Sequence, residues 1–132
     1  MVTTIVSDFS YVLAIPKETG WEINQKLLDY YLELESKQIT VAIYSASAAV
    51  SQIDIKNKLG TFKIFSSLEL NLSKSDREGY RKIAEKLGKK PEEVVFVDDQ
   101  LVNVEAAREA GMQIVYYTNS ADAIKKLSSL VK

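Results

Sequence analysis

Three aspartates, one lysine and two serines stand where this sequence could do chemistry. Asp8 and Ser10 follow the β-branched run Thr3-Thr4-Ile5-Val6, and Ser45 follows a second apolar run, Ile39 to Tyr44. Lys74 precedes a helical pattern, and Asp98-Asp99 close the run Val94-Val95-Phe96-Val97. Each has an ordinary structural reading. An aspartate after a strand is often a turn former or helix cap. Ser45 and Lys74 read equally well as a cap and a solvated charge. Adjacent acids at the end of an apolar strand nevertheless repel unless something positive sits between them, and a divalent cation or Lys74 would serve. The chemistry that fits is transfer to a carboxylate, with Asp8 attacking phosphorus to form an aspartyl-phosphate. Mg²⁺ prefers octahedral oxygen ligands of which few are protein carboxylates. Asp8, the Ser10 carbonyl and Asp99 would suffice, with water completing the shell. Ser45 and Lys74 would hold the phosphoryl oxygens and compensate transition-state charge.

The composition narrows the alternatives by what it lacks. With no histidine, serine–histidine and cysteine–histidine nucleophiles, histidine bases and the usual zinc enzymes are excluded. With no cysteine, disulfides and cysteine-ligated metal sites are excluded too, and a cytoplasmic location is the expectation. Net charge is −1, and residues 1–70 carry 6 basic and 8 acidic groups against 11 and 10 in the rest. Neither half is a polycation, so nucleic acid is not an expected partner. No window approaches about 18 consecutive apolar residues and the first residues lack a signal-peptide pattern, so no membrane partner is expected.

The 132 residues predict one domain, 1–132, long enough for a real core. Apolar runs alternate with helical periodicity along the whole chain. Ile23, Leu27, Tyr30, Tyr31 and Leu34 form one amphipathic stripe. Ala48 to Leu59 is a weaker helical pattern ending at Gly60, and Phe62 to Phe65 is a short strand. Ser75-Asp76-Arg77-Glu78 has capping-box spacing, and Tyr80, Ile83, Ala84 and Leu87 follow on one face. Leu101 to Ala110 reads as a helix, Met112 to Tyr117 as a strand, and Ser120 opens a last helix. Five strands and five helices in strict alternation predict an α/β fold, a parallel sheet with helices on both faces. Sites in such sheets lie at the carboxyl ends of the strands. Asp8 can meet Asp98-Asp99 only if the first and fourth strands are neighbours.

The order Asp8-Phe9-Ser10, Ser45, Lys74 and Asp98-Asp99 resembles the haloacid dehalogenase superfamily of hydrolases. The resemblance covers essentially the whole chain and is strongest in "KSDREGYRKIAEKLGKKPEEVVFVDDQLVNVEAAREAGM", residues 74–112. It implies a Rossmann-like three-layer sandwich whose five-stranded parallel sheet has the order 5-4-1-2-3. It further implies Asp8 as nucleophile, Ser45 and Lys74 as the second- and third-motif residues, and Asp99 as direct Mg²⁺ ligand. Asp98 would be a further ligand or act through water, with Asn103 supporting the ligands from behind.

Two departures from the family pattern matter. Its phosphatases carry a second acid two residues after the nucleophile, which protonates the leaving group and later activates water; here that place is Ser10. Losing such a group costs about 10²–10⁴ in rate, so transfer to Asp8 survives better than hydrolysis of the intermediate. Many members also insert a cap domain, and neither Ser10–Ile39 nor Ser45–Lys74 has room for one. The expectation is an open site, able to take a bulky phosphorylated substrate or to be covered by a partner or a second copy of the chain.

The leading expectation is therefore a Mg²⁺-dependent, cap-less phosphatase of weak activity. The alternative is a non-catalytic relative that binds metal, phosphate or a protein. A receiver domain would need its acid pair after the first strand. A carbon–halogen hydrolase gains nothing from an extra carboxylate, and a phosphonate-cleaving relative needs a cap lysine. Trp21 reads as opening the first helix over the flap, the tyrosines as core, and Lys86, Lys89 and Lys90 as a solvated face.

Overall fold

The computed structural model describes residues 1–46, 53–60 and 62–131. Five parallel strands form the central sheet: β1 (Thr4–Ser7), β4 (Thr40–Ser45), β5 (Lys63–Ser66), β6 (Val94–Asp98) and β7 (Gln113–Tyr116). Their order is β5-β4-β1-β6-β7. Read from the β7 edge and counted among the parallel strands alone, this is the expected 5-4-1-2-3. β1 lies at the centre, with Thr4 in register with Thr40 on one side and Val94 on the other. β1 and β6 are buried on both faces, which is why both read as unbroken apolar runs rather than alternating ones.

Each face has its own core. On one, Ile5, Val41, Ile43, Val95 and Val97 meet α1 (Gln25–Ser36) and α6 (Ser120–Leu130) through Leu27, Tyr31, Ala123 and Leu127. On the other, Val6, Ala42, Tyr44 and Phe96 meet α4 (Arg77–Leu87) and α5 (Leu101–Glu109) through Tyr80, Ile83, Val104 and Ala107. Fully burying a large aliphatic or aromatic side chain contributes roughly 1.5–3 kcal/mol. The two-sided strands therefore anchor the fold. Gly88 stops α4 in the left-handed region, at φ 69°, a conformation glycine adopts without steric cost.

Strict alternation fails at two places. The stretch holding Pro16 and Gly20 is a β-hairpin, β2 (Ala14–Lys17) against β3 (Gly20–Ile23). It claims Ile23 and Trp21, so the first helix starts at Gln25 behind the cap Asn24. Trp21 does not open that helix; it lies on the hairpin with its ring 5.3 Å from Phe9. A single helical turn, α3 (Ser67–Leu70), also follows β5. Of the weak pattern Ala48–Leu59, α2 covers Ile53–Leu59 and the rest lies outside the described residues. The cap of α4 is Asp76, whose side chain accepts from the Glu78 N–H at 2.9 Å, in place of Ser75. α6 is capped by Asn119. Among the described residues no helix is long and apolar enough to cross a membrane.

Candidate active site

The carboxyl ends of β1, β4 and β6 converge as the strand order requires. Asp8 continues β1 and is held at the level of β6 by its own N–H, which donates to the Val97 carbonyl at 2.8 Å. Its Oδ1 accepts from the Phe9 N–H at 2.8 Å and from Lys74 Nζ at 2.6 Å. Lys74 Nζ also reaches Asp98 Oδ2 at 3.1 Å. Asp98 ends β6 with no exposed surface. Its Oδ1 accepts from the Gln100 N–H at 2.9 Å, and its Oδ2 from Asn103 Nδ2 at 3.1 Å. Both oxygens of Asp98 are thus engaged, and the side chain orients Lys74 and the start of α5.

Asp99 completes the cluster, with carboxylate oxygens of Asp8, Asp98 and Asp99 all within 4.8 Å of one another. Burial pushes Asp8 up to about 7; Lys74 opposes this and is outweighed, and Asp98 adds to the rise. Asp99 is raised as well, by burial and then by Asp98. Three acids around one ammonium leave an excess of negative charge, and the donors are all hard oxygens. That set suits a divalent cation of the Mg²⁺ kind.

A shallow cavity of about 310 Å³ opens over the cluster, lined by Asp8, Ser10, Tyr11, Lys74, Asp99 and Asn103, with Ala46 and Gln100. Five of the seven residues singled out from the sequence therefore share one cavity. Asp98 lies beneath it. Ser45, the last residue of β4, is 1% exposed, and its neighbour Ala46 forms the wall.

Several supporting groups carry no signal that the sequence reading used. Tyr31 donates to Ser7 Oγ at 2.8 Å, and Ser7 Oγ donates to the Asp8 carbonyl at 3.0 Å, a buried relay behind the carboxylate. Tyr80 donates to the Lys74 carbonyl at 2.5 Å. Lys74 Nζ sits 5.4 Å from the centre of the Tyr44 ring and 5.8 Å from that of Phe96, a cation–π environment for the ammonium. A polar residue, Ser7, inside a wholly buried strand and directly before Asp8 was the available clue. Tyr11 departs from the expectation that tyrosines belong to the core: it is 57% exposed, at φ 65°. That left-handed conformation costs a residue with a Cβ roughly 1–2 kcal/mol.

The model of the haloacid dehalogenase-like hydrolase family matches residues 9–111. The chain is 34% identical over 92 residues to the enolase-phosphatase E1 of Aquifex aeolicus (strain VF5), which covers 63% of this chain and 40% of that protein. The chain thus spans about two fifths of that relative's length. Its fold matches an uncharacterized protein of Corynebacterium glutamicum with a TM-score of 0.83 at 21% identity, covering 99% of this chain and 96% of that one. It also matches a Bacteroides thetaiotaomicron enzyme of the same family, solved with magnesium and inorganic phosphate. There the TM-score is 0.75 at 16% identity, covering 89% of this chain and 95% of that one.

Proposed function

The chain belongs to the haloacid dehalogenase-like hydrolase family, and from that premise we propose that it is a Mg²⁺-dependent phosphomonoester hydrolase acting through an aspartyl-phosphate on Asp8. One observation carries the reading: a buried carboxylate whose Oδ1 is fixed by the Phe9 N–H and by a lysine, with two more carboxylates within 4.8 Å. Asp8, Asp99 and the Ser10 carbonyl would hold the metal, which would neutralise phosphoryl charge and help align the phosphorus.

The chain's own groups supply the rest. Phe9 N–H and Lys74 hold one oxygen of Asp8 and leave the other to attack phosphorus as the bond to the leaving oxygen breaks. Lys74 and the Ser45 hydroxyl take the phosphoryl oxygens. Asp98 and Asn103 keep Lys74 and the β6–α5 corner in place. Ser10 stands where a general acid–base would act, and its hydroxyl is too weak an acid to serve. The leaving oxygen takes its proton from solvent, and water attacks the aspartyl-phosphate without a base. Turnover is accordingly about 10²–10⁴ below that of an enzyme with a carboxylic acid there. The open cavity leaves room for a bulky organic group, or for a second copy of the chain or a partner protein above it, and the cytoplasm remains the expected location.

The test is hydrolysis of an activated aryl phosphate by wild type and Asp8→Asn, each in Mg²⁺ and in EDTA. Metal-dependent hydrolysis lost in Asp8→Asn supports the reading. Equal rates in both proteins, with inorganic phosphate still binding, would favour the alternative that the absence of an acid at Ser10 suggests, a binding protein on the same fold.

A further inference from the structure

Tyr11 occupies a backbone conformation that suits glycine, yet it carries a large and mostly exposed ring. The turn around it is closed tightly. The N–H groups of Leu13 and Ala14 donate to the Phe9 carbonyl at 2.8 and 3.0 Å, and the Tyr11 N–H donates to the Ala14 carbonyl at 2.7 Å. These bonds hold the turn in its strained conformation. A non-glycine residue fixed in this region beside a candidate site is the kind of outlier from which function is properly inferred.

Tyr11 also lines two cavities. One is the cavity over Asp8; the other, about 340 Å³, lies between the hairpin and the start of α6. Val12, Ile15, Ile23 and Tyr117 give the second cavity an apolar, partly aromatic wall. Three of its polar residues are committed to one another: Asn24 Nδ2 donates to Tyr117 Oη at 2.9 Å and to Ser120 Oγ at 2.8 Å, and Ser120 Oγ donates to Asn24 Oδ1 at 3.0 Å. What this cavity offers a ligand is an apolar and aromatic patch next to the phosphoryl site, bordered by the polar side chains of Glu22 and Gln25.

We propose that Tyr11 and this second cavity form the subsite for the organic part of the substrate, and that the substrate class is a phosphomonoester bearing an aromatic or otherwise planar apolar group. The phosphoryl end lies against Asp8 and Lys74, and the organic group packs on the Tyr11 ring toward Ile15 and Tyr117. This rests on the reading of the Asp8 cavity as a phosphoryl site and adds the identity of what is attached to the phosphorus.

Non-hydrolysable phosphonates test it by calorimetry in Mg²⁺, without requiring turnover. Benzylphosphonate should bind wild type on the order of three- to tenfold more tightly than methylphosphonate, the size of an aromatic pairing term. Tyr11→Phe should keep that preference. Tyr11→Gly and Tyr11→Asn, both at home at positive φ, should abolish it and melt no lower than wild type. A purely structural role for Tyr11 predicts an unchanged preference in all variants and overturns the proposal, as does equal binding of the two phosphonates to wild type. Failure of wild type to bind either phosphonate or inorganic phosphate would instead overturn the phosphoryl-site reading beneath it.

Discussion

The β6–α5 corner and the β1–β2 turn face each other across the same cavity and are built on opposite terms. At the corner, Asp98 has no exposed surface, and both its oxygens are engaged by Gln100, Asn103 and Lys74. At the turn, Asp8 has one oxygen held, burial raises its pKa to about 7, and Ser10 and the strained Tyr11 face the cavity mouth. The corner is a settled electrostatic frame. The turn holds a carboxylate that its surroundings disfavour until something positive arrives. On the proposed reading, the difference separates residues that position charge from residues that would meet the substrate.

The comparison breaks most visibly at the lysine shared by both sides. Lys74→Met leaves two buried carboxylates without their ammonium, and losing one partner of a buried pair costs about 3–5 kcal/mol. Urea unfolding in EDTA at pH 8 measures it, and a loss below about 1 kcal/mol would mean that the cluster relaxes freely. Next comes the absent acid. Ser10→Asp should raise hydrolysis of an activated aryl phosphate on the order of 10²-fold or more. A Ser10→Asp enzyme no faster than Asp8→Asn/Ser10→Asp would show that the turn does not support catalysis.

Asp8 also makes stability depend on pH. Between the ordinary carboxylate range and about 7, folded metal-free protein keeps a proton on Asp8 that the unfolded chain has released. Stability from this group is therefore lost as pH rises through that window and is constant above it. In EDTA, the melting temperature of wild type should fall relative to Asp8→Asn between pH 5 and pH 8, and millimolar Mg²⁺ should remove the difference. Parallel curves in EDTA would rule out the raised pKa of Asp8. The smallest effects come from two tyrosines under Lys74. Tyr80→Phe deletes the bond to the Lys74 carbonyl and should cost about 1–2 kcal/mol. Tyr44 Oη is buried without a hydrogen-bond partner among the described residues, so Tyr44→Phe should be neutral or stabilising by up to about 1 kcal/mol. Chemical denaturation of the pair decides whether the rings or the hydroxyls hold the lysine.

The sheet was legible because its central strands are buried on both sides and so appear as β-branched runs, with the chemistry-bearing residues directly after them. Asp8, Asp98 and Asp99 could be placed together because parallel topology brings those strand ends to one edge. The hairpin was not legible: Pro16 and Gly20 mark a turn, but Ile23 also fits the apolar stripe that Leu27 and Leu34 continue, and periodicity alone does not choose. Tyr11, next to Ser10, could be set beside the substrate space from the sequence, but its strain could not be read. Its importance lies in a backbone angle and an exposure, and residue type reveals neither. The supports behind the site, Tyr31 through Ser7 and Tyr80 through the Lys74 carbonyl, bond to neighbours set by tertiary packing and leave only faint sequence traces.

The central position of β1 has a consequence for the order in which the molecule assembles. Its strand partners begin at Thr40 and Val94, and Asp8 meets Lys74 at a sequence separation of 66. Such non-local pairings close slowly, because the chain's entropy is spent before the contact rewards it. Until β6 docks, β1 presents one bare edge, an invitation to pairing with another chain. Asp8 at its end remains meanwhile a solvated carboxylate of ordinary acidity. The group that gives the site its character thus acquires that character only once β6 and Lys74 are in place.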